Sequence, residues 1–285
     1  MTTGLRHIRH PGAPADRRIR ALPCQAVELR LDLRAGQSLS DAVPAAFARL
    51  GFTAGYLRLD GAEFAPLHFV TPAPAPGDGH AAWYSATHRI VAGARVRHAG
   101  AHLGRRDGQP FLHCHGMWHA ADGASESGAD TGHMLCGDSV LARDCTLTGW
   151  GIRGAEMTAR HDPETDFTLF RPEPTAQGAQ GDAFLITLRP NQDIGAALSD
   201  FARAQSLRAA RIEGIGSLIG IAFDDGRSID SYATEILIVN GQLQGEALSL
   251  EVGGTGFDGR SQSGRLAPGA NAICVTAEVL LLPQR

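Results

Sequence analysis

Lysine is absent from the chain, and its 26 basic residues are all arginine, a composition that fits GC-rich coding better than any function. Against 30 acidic residues they leave a net charge of -4, which lacks the basic surplus that a nucleic-acid-binding domain uses to neutralise phosphates. There is no apolar run long enough to span a bilayer, and the start lacks the apolar core of a secretory signal, so no membrane association and a cytoplasmic location are expected. Cys24, Cys114, Cys136, Cys145 and Cys274 are odd in number and form no C-x-x-C, so thiols are expected rather than a disulfide framework. Histidine is the most telling absence: all twelve lie between His7 and His161, and none follows.

What is present explains that asymmetry. The run Leu31-Asp-Leu-Arg-Ala-Gly-Gln-Ser-Leu leads to Phe47-Ala-Arg49, and Ile186-Thr-Leu-Arg-Pro-Asn-Gln-Asp-Ile leads to Phe201-Ala-Arg203. Ala86-Thr-His-Arg-Ile-Val91 is answered by Ala233-Thr-Glu-Ile-Leu-Ile238, and Gly132-His-Met-Leu-Cys-Gly137 by Gly264-Arg-Leu-Ala-Pro-Gly269. The period is too long for a solenoid, so two complete domains are expected, residues 22–160 and 183–285, and 285 residues with 43% apolar content suffice for two cores. Residues 1–21, with Arg6, Arg9, Arg17, Arg18 and Arg20 among prolines and glycine, read as a flexible basic arm. Residues 161–182 read as a polar linker, and Thr71-Pro-Ala-Pro-Ala-Pro-Gly-Asp-Gly79 as a loop insertion without a counterpart in the second copy.

The second copy gives the clearer local signals. Asp193 can cap a helix whose buried stripe uses Ile194, Leu198 and Phe201. Ile236 to Val239 and Gln242 to Val252 read as strands around an Asn240-Gly241 turn, Asp258-Gly259 as a second turn, and Ala272 to Leu282 as a closing strand. The fold class expected is α+β, each domain a mainly antiparallel sheet packed with helices.

Side chains alternate along a strand, so in Leu112-His-Cys-His115 the imidazoles of His113 and His115 share one face about 7 Å apart, while Cys114 belongs to the other. If the chain returns antiparallel after Asp122-Gly123, His133 comes alongside and completes a three-nitrogen metal site, zinc being the expected ion, with His119 as the alternative third ligand. The competing reading is a set of ordinary sheet histidines. His88, His98 and His102 fall on expected strands, where one of them can orient a ligand. In the second copy Glu251, Gly253 and Arg265 stand in the places of His113, His115 and His133, so no imidazole site is expected there and the copy is left a packing role.

Both halves resemble the PPC (plants and prokaryotes conserved) domain, found with AT-hooks in plant nuclear proteins and alone in many bacteria. The resemblance rests on Ala197 to Arg203, Leu207 to Leu218, Thr234-Glu-Ile-Leu237, Leu248-Ser-Leu250 and Thr276-Ala-Glu-Val279 in the second copy, and on Leu112-His-Cys-His115 and Gly132-His133 in the first. It implies an antiparallel sheet with helices, assembly as a homotrimer, and a metal-type histidine cluster near a subunit interface. Two function classes follow: a non-enzymatic oligomeric regulator or DNA-associated protein, with room for a small-molecule ligand, or a zinc-dependent hydrolase or lyase drawing an acid or base from Asp122, Glu126, Asp130 or Asp138. No Arg-Gly-Arg-Pro core occurs, so direct minor-groove binding of the AT-hook kind is not supported, and the non-enzymatic class is favoured.

Overall fold

The computed structural model describes residues 5–121 and 130–284. Among them the chain is mainly antiparallel sheet with two helices, and none of its helices is long and apolar enough to cross a membrane. Helix α1 (Leu39–Arg49) starts at Ser38, whose side chain accepts from the Asp41 amide, and buries Leu39, Ala42, Val43, Ala46 and Phe47 along one stripe. Helix α2 (Ile194–Ala204) starts at Asp193, which accepts from the Ala196 amide, and buries Ile194, Ala197, Leu198 and Ala202. Phe201 packs against the same core, as the sequence spacing requires.

The strands divide into two sets of the same order. In the first unit, β1 (Ile19–Leu33) pairs with β7 (Cys145–Arg153), β7 with β2 (Gly55–Arg58), β2 with β4 (Ala94–Arg106), β4 with β5 (Gln109–Ala120) and β5 with β6 (Thr131–Met134). A short strand β3 (Leu67–Val70) adds to β6. In the second unit, β10 (Ala183–Leu188) pairs with β15 (Ile273–Pro283), β15 with β11 (Ala209–Leu218), β11 with β12 (Thr234–Gln244), β12 with β13 (Ala247–Thr255) and β13 with β14 (Ser261–Arg265). Each unit thus runs first strand, last strand, then the strands after the helix in chain order. Each has its own core against its helix.

Between the units β8 (Ala155–His161) and β9 (Thr168–Pro174) form a regular hairpin, whose turn and second strand fall in residues 161–182, where the sequence suggested a linker. Its turn is built on Asp162, whose Oδ1 accepts from the Glu164 and Thr165 amides while Oδ2 accepts from Arg171 and Arg189. Prolines 172 and 174 and the charges of β9 hide the strand because it carries no simple alternation. The basic arm also differs from expectation in its described part, residues 5–21, of which 19–21 already belong to β1. Ile8 is buried and exchanges two hydrogen bonds with the Asn191 side chain, His10 donates to the Cys274 carbonyl, and Arg18 is paired with the buried Glu164. Asn191, Cys274 and Glu164 supply the partners that its own composition lacks.

Strand β1 joins the units. Its residues 19–24 pair with β10 and its residues 25–33 with β7, so one continuous sheet passes through it. Elsewhere the sheets approach closely, and glycine permits it: a Cβ on Gly253 would lie 2.0 Å from the Met117 sulfur of the first unit. Across the same interface the buried Glu213 of β11 accepts from Arg58 Nε of β2 at 2.8 Å and from its own neighbour Arg211 at 2.5 Å. Asn240-Gly241, expected as a turn, lies inside β12 beside a bulge, and the hairpin closes one turn later at Gly245, whose φ of +65° suits glycine. Gly241 serves close packing instead, because a Cβ there would lie 2.5 Å from the Ile212 carbonyl oxygen.

Candidate metal centre

His113 and His115 stand two apart on β5 and point to one face, towards the second unit. Antiparallel pairing sets His133 of β6 directly opposite His115. The ligand nitrogens of the three imidazoles all lie within 4.8 Å of one another, and the ring centroids within 5.3 Å. His119, the alternative ligand, is exposed at the far end of β5, opposite Arg95, and takes no part.

The second unit completes this cluster, which sequence reasoning missed. Glu278 of β15 faces His113 Nδ1 at 2.7 Å, Glu235 of β12 faces His115 Nε2 at 2.6 Å, and the Ile236 carbonyl accepts from His115 Nδ1 at 2.9 Å. Both carboxylates stand on buried strands whose apolar neighbours read as core, and nothing local in the sequence ties them to a histidine more than 100 residues away. The packing role foreseen for the second copy is therefore too narrow. Its Glu251 is exposed opposite Arg265 and its Gly253 lies against Met117, so the positions aligned with the histidines are not the ones that reach the site.

These contacts orient the rings. A carbonyl can only accept, so His115 carries hydrogen on Nδ1, and ionised Glu278 favours the same tautomer of His113. The Nε2 atoms of both rings then face inward, 3.1 Å apart, close to the about 3.3 Å that two tetrahedral ligands with bonds of about 2.0 Å would have; without an ion the His115 Nε2 holds a proton towards Glu235. Two buried atoms at the cluster, His133 Nδ1 and Glu278 Oε1, make no hydrogen bond among the described residues. Converging ring nitrogens, a restrained tautomer and buried polar atoms without partners are what a divalent ion would use, so the residues fit one.

Burial and mutual repulsion set the protonation states. Burial, followed by the charge on His115, holds His113 down to about 3, and burial with both neighbouring imidazoles holds His133 well below the ordinary range. Burial also opposes charge on His115, but Glu235 outweighs it and raises that histidine, while Glu235 is itself lowered by His115 despite burial. Glu278, buried with weaker compensation from His102 and His115, is raised to about 7.

The remaining candidates fall away from the cluster. His102 is fully buried beside His113 in the β4–β5 register, donates from Nε2 to the Glu278 carbonyl, and meets Tyr56 edge-on; it is the one of the three sheet histidines that supports the site. His98 lies 3.6 Å from Asp60, and His88 contacts Ser85. Asp138 is exposed, with its backbone carbonyl bonded to His68, and the Asp130 carboxylate accepts from its neighbour Thr131. Asp122, Gly123 and Glu126 lie outside the described residues. Cys114 is buried on the opposite face, where the neighbouring Cys136 and burial raise its thiol, so it is no nucleophile.

The cluster forms the floor of a cleft of about 230 Å³ bounded by β9, by the second unit, and by the insertion after Thr71. There Pro72–Ala73 pairs with Trp83–Tyr84 in a small flap.

Residues 175–283 match the Plants and Prokaryotes Conserved (PCC) domain family, and no curated protein sequence matches the chain. Among solved structures, a metal-containing protein from Archaeoglobus fulgidus is similar over 53% of this chain and 97% of its own, with 15% identity and a TM-score of 0.39. A plant- and prokaryote-conserved (PPC) protein from Pyrococcus horikoshii is similar over 53% and 96%, with 10% identity and a TM-score of 0.38. A candidate DNA-binding protein from Ralstonia eutropha is similar over 50% and 89%, with 12% identity and a TM-score of 0.38.

Proposed function

We propose that the chain is a non-enzymatic protein of two tandem PCC-like units that holds one divalent ion, zinc, on His113, His115 and His133 and acts as a regulator responding to a small ligand in the cleft above it. The convergence of three ring nitrogens with tautomers restrained by Ile236 and Glu278 carries this reading. Neutral imidazole suits borderline-soft zinc, and the cleft leaves space for a further ligand. A DNA-associated role belongs to the same proposal, through a partner: Arg6, Arg18 and Arg20 of the arm are engaged with Asp230, Glu164 and the Pro172 carbonyl, and the net charge is negative. Assembly as a homotrimer is also part of it. Light scattering at three times 30.1 kDa supports that part, and a monomer removes it.

Elemental analysis tests the core of the proposal. Wild type purified with zinc should carry one ion per chain, and His115→Ala should fall to background while the second unit stays folded. A metal-free wild type, or a triple-histidine variant that retains as much metal, overturns it.

One observation favours a second reading, a metal-dependent hydrolase or lyase. Glu278, raised to about 7, is poised to exchange a proton at neutral pH beside the imidazoles. A bound ion would supply Lewis acidity and an ionised water. Ester or amide turnover that disappears in both Glu278→Gln and His115→Ala, with metal still present in the first, would establish this reading over the regulator.

A further inference from the structure

Five aromatic side chains, Trp83, Tyr84, Phe111, Phe167 and Phe170, wall the cleft above the imidazoles. We infer that the cleft receives a single-ring aromatic molecule with a short uncharged polar head that points at His113, His115 and His133. The inference rests on the reading of that cluster as a ligand-holding site, and it names the class of ligand.

Size sets the first limit. A cavity of about 150 Å³ holds benzene, so about 230 Å³ accepts one ring and a head group of a few atoms. Shape sets the second. Trp83 lies stacked on Phe167 with ring centroids 5.6 Å apart, and His80 meets both edge-on at 4.7 and 4.9 Å, tying the flap to the β8–β9 turn. Trp83 and Tyr84 nevertheless remain 40% and 38% exposed, apolar surface at the mouth of a cleft that a flat guest would cover. The flap pairs the start of the proline-rich insertion with Trp83–Tyr84 and sets these two rings beside the imidazoles.

Charge decides the head group. Glu235 and Glu278 border the imidazoles, so an anionic head at the floor would face two carboxylate groups. The cationic side chain among the cleft residues, Arg106, is half-exposed and leans over Phe111, and its strand partner Gln109 is four residues, about 13 Å, along β5 from His113. Arg106 thus stands over Phe111 on the cleft wall, whereas a carboxylate or phosphate at the imidazoles would meet the two glutamates there. An amide, hydroxyl or ring nitrogen offers a donor atom to the floor at no such cost.

The test uses three one-ring probes that differ in head charge, benzamide, benzoate and benzylamine, titrated into the full-length protein by saturation-transfer NMR, with metal content measured on the same sample. Benzamide should bind about tenfold more tightly than benzoate. Trp83→Ala should weaken benzamide about tenfold and leave metal content unchanged. Benzoate or benzylamine binding most tightly, or benzamide binding indifferent to Trp83→Ala, overturns the inference. A sample without metal that still prefers benzamide through Trp83 sinks the metal reading and leaves this one standing; a metal-loaded sample that prefers benzoate does the reverse.

Discussion

The two units run the same strand order around one helix, yet they bring opposite chemistry to the face they share. The first presents His113, His115 and His133 on β5 and β6; the second presents Glu235 on β12 and Glu278 on β15, strands that carry no histidine. Imidazoles alone would be free to turn and to repel one another on protonation. Carboxylates and a carbonyl from the other unit restrain their tautomers and balance charge. A copy without a single ligand of its own can thus govern a site, because the site lies where the copies meet rather than inside either.

The comparison can be broken most severely at the contact itself. Glu213→Ala strips the buried partner from Arg58 of the first unit and Arg211 of the second, and chemical denaturation should show a loss of about 3–5 kcal/mol. A loss below about 1 kcal/mol would mean that the units do not depend on this bridge. Next in size is the orienting role of the second unit: Glu278→Gln should weaken zinc binding about 10–100-fold in competition with a chelator, whereas Glu251→Gln, exposed opposite Arg265, should change nothing. Equal effects of the two substitutions would end the distinction drawn between them.

Acid should act on the first unit's histidines. Burial holds His113 at about 3 and His102 at about 4, against 6.5 once the chain unfolds, so between these values the unfolded state binds more protons. Stability of the metal-free protein should therefore fall as pH drops from 6.5 towards 4, by about 1 kcal/mol per pH unit for each such histidine. Glu278, raised from 4.5 to about 7, works the other way, adding stability as pH falls through that window, and takes back part of the slope. Urea unfolding at pH 7, 6 and 5 measures the balance, and a flat or rising profile would contradict the buried neutral imidazoles. The smallest effect compares the helix starts. Ser38→Ala and Asp193→Ala should each cost about 1 kcal/mol, with Asp193 the larger because its second oxygen also accepts from the Asn271 amide. Identical thermal shifts would show that this extra bond is idle.

Features set by neighbours in sequence were legible. The spacing of Ile194, Leu198 and Phe201 gave the buried stripe of α2, Asp193 gave its start, and the two-residue period placed His113 and His115 on one face with Cys114 behind. What depended on another part of the chain was not. Glu235 and Glu278 sit among apolar strand residues and acquire their role only when the sheets pack. Residues 161–182 lack the alternation of a half-exposed strand because β9 is flanked by charge and proline, and the arm looks unstructured until Asn191, Glu164 and Cys274 receive it. Asn240-Gly241 carries the composition of a tight turn, but a bulge and close packing on Ile212 use the same glycine differently.

Strand β1 has a consequence for how the protein is made. Residues 19–24 find their hydrogen-bonding partners at 183–188, and Ile8 and His10 find theirs at Asn191 and Cys274, so these residues wait for partners that are made much later in the chain. Contacts that distant in sequence close late and slowly. Until they close, β10 presents an unpaired edge that other chains could extend, and a second half produced by itself would keep that edge permanently. The amino-terminal segment is in this sense an internal chaperone, bound for life to the half that it protects.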